Sequence, residues 1–130
     1  MRFLFSDYFL IGLLALICGF SIYILPGTWY VNNQWVDIPL HFFGGLWVGL
    51  IFLALFGRFP ELNSYARFLE SRLLVFIFTL AMAALVGVGW EFYEFIFDNM
   101  GSLADTIADL ALDLFGATMA ALAGVFVFKK

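Results

Sequence analysis

The chain has 130 residues, of which 65% are hydrophobic and 12% charged, with a mean hydropathy of +1.03. Soluble domains run at about 45–50% apolar and about 25% charged residues, and so short a chain has no interior large enough to hide the excess from water. Lipid is the solvent that fits, the net charge of −4 provides no basic patch for nucleic acid, and the single cysteine, Cys18, excludes an intrachain disulfide.

A membrane-spanning helix needs about 20 mostly apolar residues. The first candidate runs from about Tyr8 to Leu25 and stops at Pro26-Gly27. No small-x-small cleavage site follows it, so it reads as a retained helix, with Cys18 as apolar packing. The loop 26–35 is rich in Trp and Tyr, as expected at a membrane interface. The second span runs from about Val36 to Phe56 and stops at Gly57-Arg58. Over 58–71, charged residues (Arg58, Glu61, Arg67, Glu70) interleave with Phe59, Leu62, Tyr65 and Phe68, which predicts a short amphipathic helix on the membrane surface. The third span covers about Arg72 to Phe97 and the fourth about Leu103 to Phe128. The expected fold is therefore all-α, a polytopic membrane protein with a four-transmembrane-helix bundle forming one domain over 1–130, and an interfacial helix between the second and third spans.

The six basic residues are Arg2, Arg58, Arg67, Arg72, Lys129 and Lys130. All lie at the termini or in and beside the second loop, so the positive-inside rule puts both termini and that loop in the cytoplasm of a cell (inner) membrane protein. Seven of the ten acidic residues then fall on the outer side: Asp37, Glu91, Glu94, Asp98, Asp105, Asp109 and Asp113. The one histidine, His41, joins them a turn below Asp37.

Spacings of three and four put each set on one stripe of its helix: Asp37 and His41; Glu91, Glu94 and Asp98; Asp105, Asp109 and Asp113. The stripes continue into small residues: His41 to Gly45 and Gly49, Glu91 back to Gly87 and Ala84, Asp113 to Gly116, Ala120 and Gly124. Small residues at this spacing let membrane helices approach closely, so the acids sit on the faces that pack together. A charge at mid-membrane costs about 2.5–3.5 kcal/mol even on the lenient insertion scale, and four unpaired groups would cost on the order of 10 kcal/mol. With no Lys or Arg at that level, either the carboxyls are protonated or a cation neutralises them.

A divalent metal is the simplest such cation. Carboxylates suit Mg²⁺, Mn²⁺ and Ca²⁺, and one imidazole keeps Mn²⁺, Fe²⁺ and Zn²⁺ open. A single His without a usable Cys argues against a closed structural zinc site. The candidate ligands are His41, Glu91, Asp109 and Asp113, with Asp105 and Asp37 beside them and Glu94 as a catalytic general base. Plainer roles stand next to these. Asp105, three residues after Ser102, fits a capping box; Asp37 fits a helix start before Pro39; Asp98 fits a solvated helix end. His41 could equally bond a carboxylate on another helix, and the deep acids could be protonated and structural.

The order Asp37-x-x-x-His41, Gly89-Trp90-Glu91-x-x-Glu94 and Asp105-Thr-x-x-Asp109-x-x-x-Asp113-x-x-Gly116-Ala117 resembles the small inner-membrane proteins of the YjdF type. More distantly it is similar to the VanZ-like family linked to glycopeptide resistance. The resemblance covers about residues 36–124 and implies a fold more than an activity; the residues it carries over are His41, Glu91, Asp105 and Asp109. VanZ-like proteins tend to carry amides where Glu94 and Asp109 or Asp113 stand, so this site is more acidic.

Three functions follow. One is a metal-dependent enzyme on a lipid or lipid-linked envelope substrate, using Mg, Mn or Zn to polarise an oxygen or activate water. The second is a cation-handling protein; below Asp113 the stripe holds no polar side chain, Thr118 lying off it, so a path would require an oligomer. The third is a non-catalytic accessory subunit whose acids pair with a basic partner.

Overall fold

The computed structural model describes residues 2–24, 34–59, 61, 71–96 and 102–127. The described residues are helical throughout apart from short caps, with four long helices: α1 (Asp7–Ile24), α2 (Asp37–Arg58), α3 (Arg72–Ile96) and α4 (Leu103–Val127). α3 and α4 begin at Arg72 and Leu103, the residues the hydropathy pattern picks out. α2, α3 and α4 are each long and apolar enough to cross a membrane. α1 is the shorter apolar helix, with 18 residues near the lower end of the roughly 17–25 that a span requires. The surface helix expected over 58–71 and the acid Asp98 lie outside the described residues, apart from a few positions at the segment's ends.

Serine starts three of the helices. Ser6 Oγ accepts from Phe9 N–H (3.3 Å), Ser71 Oγ from Leu74 N–H (3.3 Å) and Ser102 Oγ from Asp105 N–H (3.2 Å). Each hydroxyl thereby satisfies one of the donors that a first helical turn leaves over, which matters more in lipid than in water. α2 starts differently: a 3₁₀ turn, Gln34–Val36, leads into it, and Val36 caps it without a side-chain bond.

Glycine sets the packing. A Cβ on Gly45 would strike the backbone of Asp113, and one on Gly116 the backbone carbonyl of Phe42. α2 and α4 therefore cross backbone to backbone. Farther along, Gly49 faces Ala120 and Thr79, and Gly124 faces Leu53 and Val75. Residue numbers rise together along α2 and α4 and fall along α3, so α3 runs antiparallel to both. α3 buries Val75, Thr79, Ala83, Gly87 and Glu91, a stripe at four-residue spacing. It passes through Ala83 rather than the expected Ala84, which is only half-buried. Thr79, fully buried, returns its hydroxyl to the Val75 carbonyl (2.7 Å) and leaves no polar group unmet there.

α1 packs chiefly on α2. Leu10 joins Leu50, Ala54 and Ala120 in one apolar cluster, and Trp47 Nε1 donates to the Leu10 carbonyl (2.8 Å). Arg58 at the end of α2 donates to the Phe5 carbonyl (3.0 Å) and pairs with Asp7. These contacts tie the first half of α1 to the second half of α2. The later half of α1 is mostly exposed, and Cys18 with it, in place of the packing role expected for that thiol.

Candidate functional site

The site lies where α2 and α4 begin and α3 ends. His41 follows Asp37 by one turn of α2, and the close crossing at Gly45 and Gly116 brings both onto α4. His41 Nε2 lies 3.8 Å from Asp109 Oδ1 and His41 Nδ1 lies 3.5 Å from Asp113 Oδ1. The imidazole therefore stands between two aspartates, one at each ring nitrogen. His41, Asp109 and Asp113 are each only 6% exposed.

Asp37, His41 and Asp109 each present one nitrogen or oxygen such that the three atoms lie within 4.8 Å of one another. That spacing fits the donor separations around a single ion with metal–ligand distances of about 2.0–2.6 Å. Asp113 is on the far side of the ring. Its Oδ2 occupies the space a Cβ on Gly87 would take, 2.5 Å from that position. The carboxylate is thus held between His41 on α2 and Gly87 on α3. A histidine that ligates through one nitrogen ordinarily gives the other to a carboxylate, and Asp113 stands where that partner belongs.

Glu91 is 8% exposed, and its Oε1 is fully buried with no hydrogen-bond partner. It is close enough to Asp109 and Glu94 to interact with both electrostatically. A buried carboxylate oxygen without a partner is costly unless the group is protonated or meets a cation. Glu94 is half-buried, and Trp90 Nε1 donates to its Oε1 (3.0 Å) while the Trp90 ring stacks on Tyr93 (5.3 Å between centroids). The pair Trp90 and Glu94 sits at i,i+4, so its spacing was legible, but the sequence gives Trp90 no polar role by itself. Asp105 is exposed, and its backbone N–H is the one bonded to Ser102. It stands in the first turn of α4, where the positive end of the helix dipole favours an acid.

A cavity of about 350 Å³ adjoins the cluster. Asp37, His41, Glu94 and Asp113 line it on one side, and α1 walls it on the other through Ile17 and Cys18. The sequence shows no mark of this wall, because α1 carries no acid or histidine near it.

The chain matches, over residues 3–130, the family described as predicted membrane protein (DUF2238). It belongs to that family. No curated protein and no solved structure matches it. Membership of this family and the three spanning helices establish a membrane protein in contact with the lipid bilayer.

Proposed function

We propose that this member of the family holds a divalent metal ion on Asp37, His41 and Asp109, with Asp113 orienting the imidazole. The observation that carries the reading is the convergence of three donor atoms from α2 and α4 within 4.8 Å. The unpartnered Glu91 oxygen beside them supports it. Glu91 on α3 is the further candidate ligand, and Asp105 is a first-turn acid favoured by the helix dipole in this reading. Two or three carboxylates and one imidazole suit Mg²⁺, Mn²⁺ or Zn²⁺.

Such an ion supplies Lewis-acid polarisation of a substrate oxygen or activation of water. The protein's part is to supply a general base and exclude bulk water. Glu94 serves as the base, because it lines the cavity and is held in place through Trp90. The substrate of this enzyme is a lipid or lipid-linked envelope precursor, which reaches a site at that depth from the bilayer. The YjdF-type resemblance, placement in the inner membrane and cytoplasmic termini belong to the same proposal, supported by the distribution of the six basic residues.

Elemental analysis of protein purified without added metal tests the reading. About one Mn, Zn or Mg per chain is expected, removable by chelator and missing from Asp109→Asn. Folded protein whose metal content equals the buffer blank, even after loading, would show that the acids are protonated structural groups.

A further inference from the structure

We infer that the cavity between α1 and α3 seats a single-chain amphiphile with a cationic amine head, entering sideways from the bilayer. The inference concerns the metal-free site, since an ion on Asp37, His41 and Asp109 would offset the carboxylates that the head meets, and it does not rest on the metal reading.

The cavity is graded. On α2 its lining runs from Asp37 and His41 to Gly44 and Val48, and on α3 from Glu94 and Trp90 to Val86 and Ala83. One end is therefore acidic and the other apolar, in the same direction on both helices. At about 350 Å³ it lies at the small end of the roughly 300–1,000 Å³ range of ligand pockets, which suits one chain rather than two.

The entrance follows from how α1 packs. Its first half is fixed to α2 through Leu10 and Trp47, whereas its second half, with Ile17, Cys18 and Ile22, lines the cavity. α3 faces it across the space with Val86 and Trp90, both about 43% exposed. In a bilayer such exposed apolar surface meets acyl chains, so a chain reaches the cavity without crossing a polar barrier.

Charge selects the head. Asp37, Glu94 and Asp113 line the acidic end, and His41, which pairs with Asp113, is the one basic side chain among the described residues that line the cavity. A phosphate head would meet three carboxylates against one imidazole already engaged by Asp109 and Asp113, while an ammonium group complements the carboxylates. Trp90, bonded to Glu94, adds the aromatic surface that ammonium groups favour.

Cys18 is the chain's one cysteine and lines the cavity, so its alkylation reports occupancy. The experiment uses the full chain in phosphatidylglycerol vesicles containing chelator, labelled with N-ethylmaleimide in the presence of dodecylamine or dodecyl phosphate. Tyr23→Cys in a Cys18→Ser background serves as the lipid-facing control, because Tyr23 is 92% exposed. Dodecylamine is expected to slow Cys18 labelling by about fivefold or more, by mass action, and to leave the control rate unchanged. Dodecyl phosphate is expected to do neither, and Glu94→Gln to lose most of the protection. Equal protection by both amphiphiles, protection by neither, a slowed control, or a Cys18 that does not label at all would overturn the inference. Metal content of the untreated sample decides the metal reading separately.

Discussion

Gly87 and Asp113 share one space: a methyl group on Gly87 would stand 2.5 Å from Oδ2 of Asp113, whose other oxygen faces His41 Nδ1 at 3.5 Å. The glycine is what lets the carboxylate stay between α2 and α3. Gly87→Ala should therefore push Asp113 away from the imidazole. Overpacking of this kind costs roughly 1–3 kcal/mol, and loss of the imidazole's partner lowers metal affinity about 10–100-fold. Metal titration of the variant in detergent checks this, with a native-like affinity as the outcome that contradicts it.

The same geometry separates Asp113 from Asp105. Asp113→Asn keeps the shape but weakens the hold on His41, so affinity for the ion should fall by about 10–100-fold. Asp105→Asn changes an exposed residue at the start of α4 and should leave affinity unchanged within error. Asp109→Asn removes a donor that lies within 4.8 Å of the other two and should abolish binding. Competition with a chromophoric chelator measures all three. Equal losses at Asp105 and Asp113 would place the ion farther out than proposed.

These assignments show what the sequence could disclose. The convergence of His41 with Asp109 and Asp113 was legible, because spacings of four place the acids on the face that also carries Gly45 and Gly116. On α4 a step of four back from Asp109 leads to Asp105, which is exposed in the first turn, as its spacing from Ser102 also allows. On α3 the buried line keeps to steps of four through Ala83, and the step of three from Gly87 to Ala84 departs from it. The different places of Asp109 and Asp113, one at each ring nitrogen of His41, are a matter of tertiary geometry alone. α1 was legible as an apolar helix, but its role as a cavity wall was not, since Gly12 and Gly19 mark no close approach and Ser21, the polar residue of α1 that lines the cavity, donates back to its own helix at the Ile17 carbonyl (2.9 Å).

Trp47 connects α1 to the bundle through one hydrogen bond to the Leu10 carbonyl (2.8 Å). Trp47→Phe keeps much of the ring's packing and removes the donor. Polar bonds between membrane helices average about 0.6 kcal/mol, so global stability should change little. The later half of α1, which has no such anchor, should open more often. Cys18 should then alkylate severalfold faster in Trp47→Phe than in the native chain, and an unchanged rate would show that the Leu10 cluster and Arg58 hold α1 without the Trp47 hydrogen bond.

The glycines divide into two groups by what surrounds them, and alanine substitution should expose the division. Gly45 and Gly116 each face the backbone of the other helix, where no side chain can rotate aside. Gly45→Ala or Gly116→Ala must separate α2 from α4, at a cost of roughly 1–3 kcal/mol or more. The shift would also draw His41 away from Asp109 and Asp113, so metal binding should fall together with stability. Gly12, Gly19 and Gly89 have nothing within 4 Å of an added Cβ. There alanine meets only lipid, and its better helix propensity (about 0.8–1.0 kcal/mol over glycine in water) makes the change neutral or mildly stabilising. Thermal unfolding in detergent, with metal content measured on each variant, compares the two groups. If Gly12→Ala and Gly45→Ala unfold at the same temperature and keep the same metal content, then the backbone crossing of α2 and α4 is not what assembles the site.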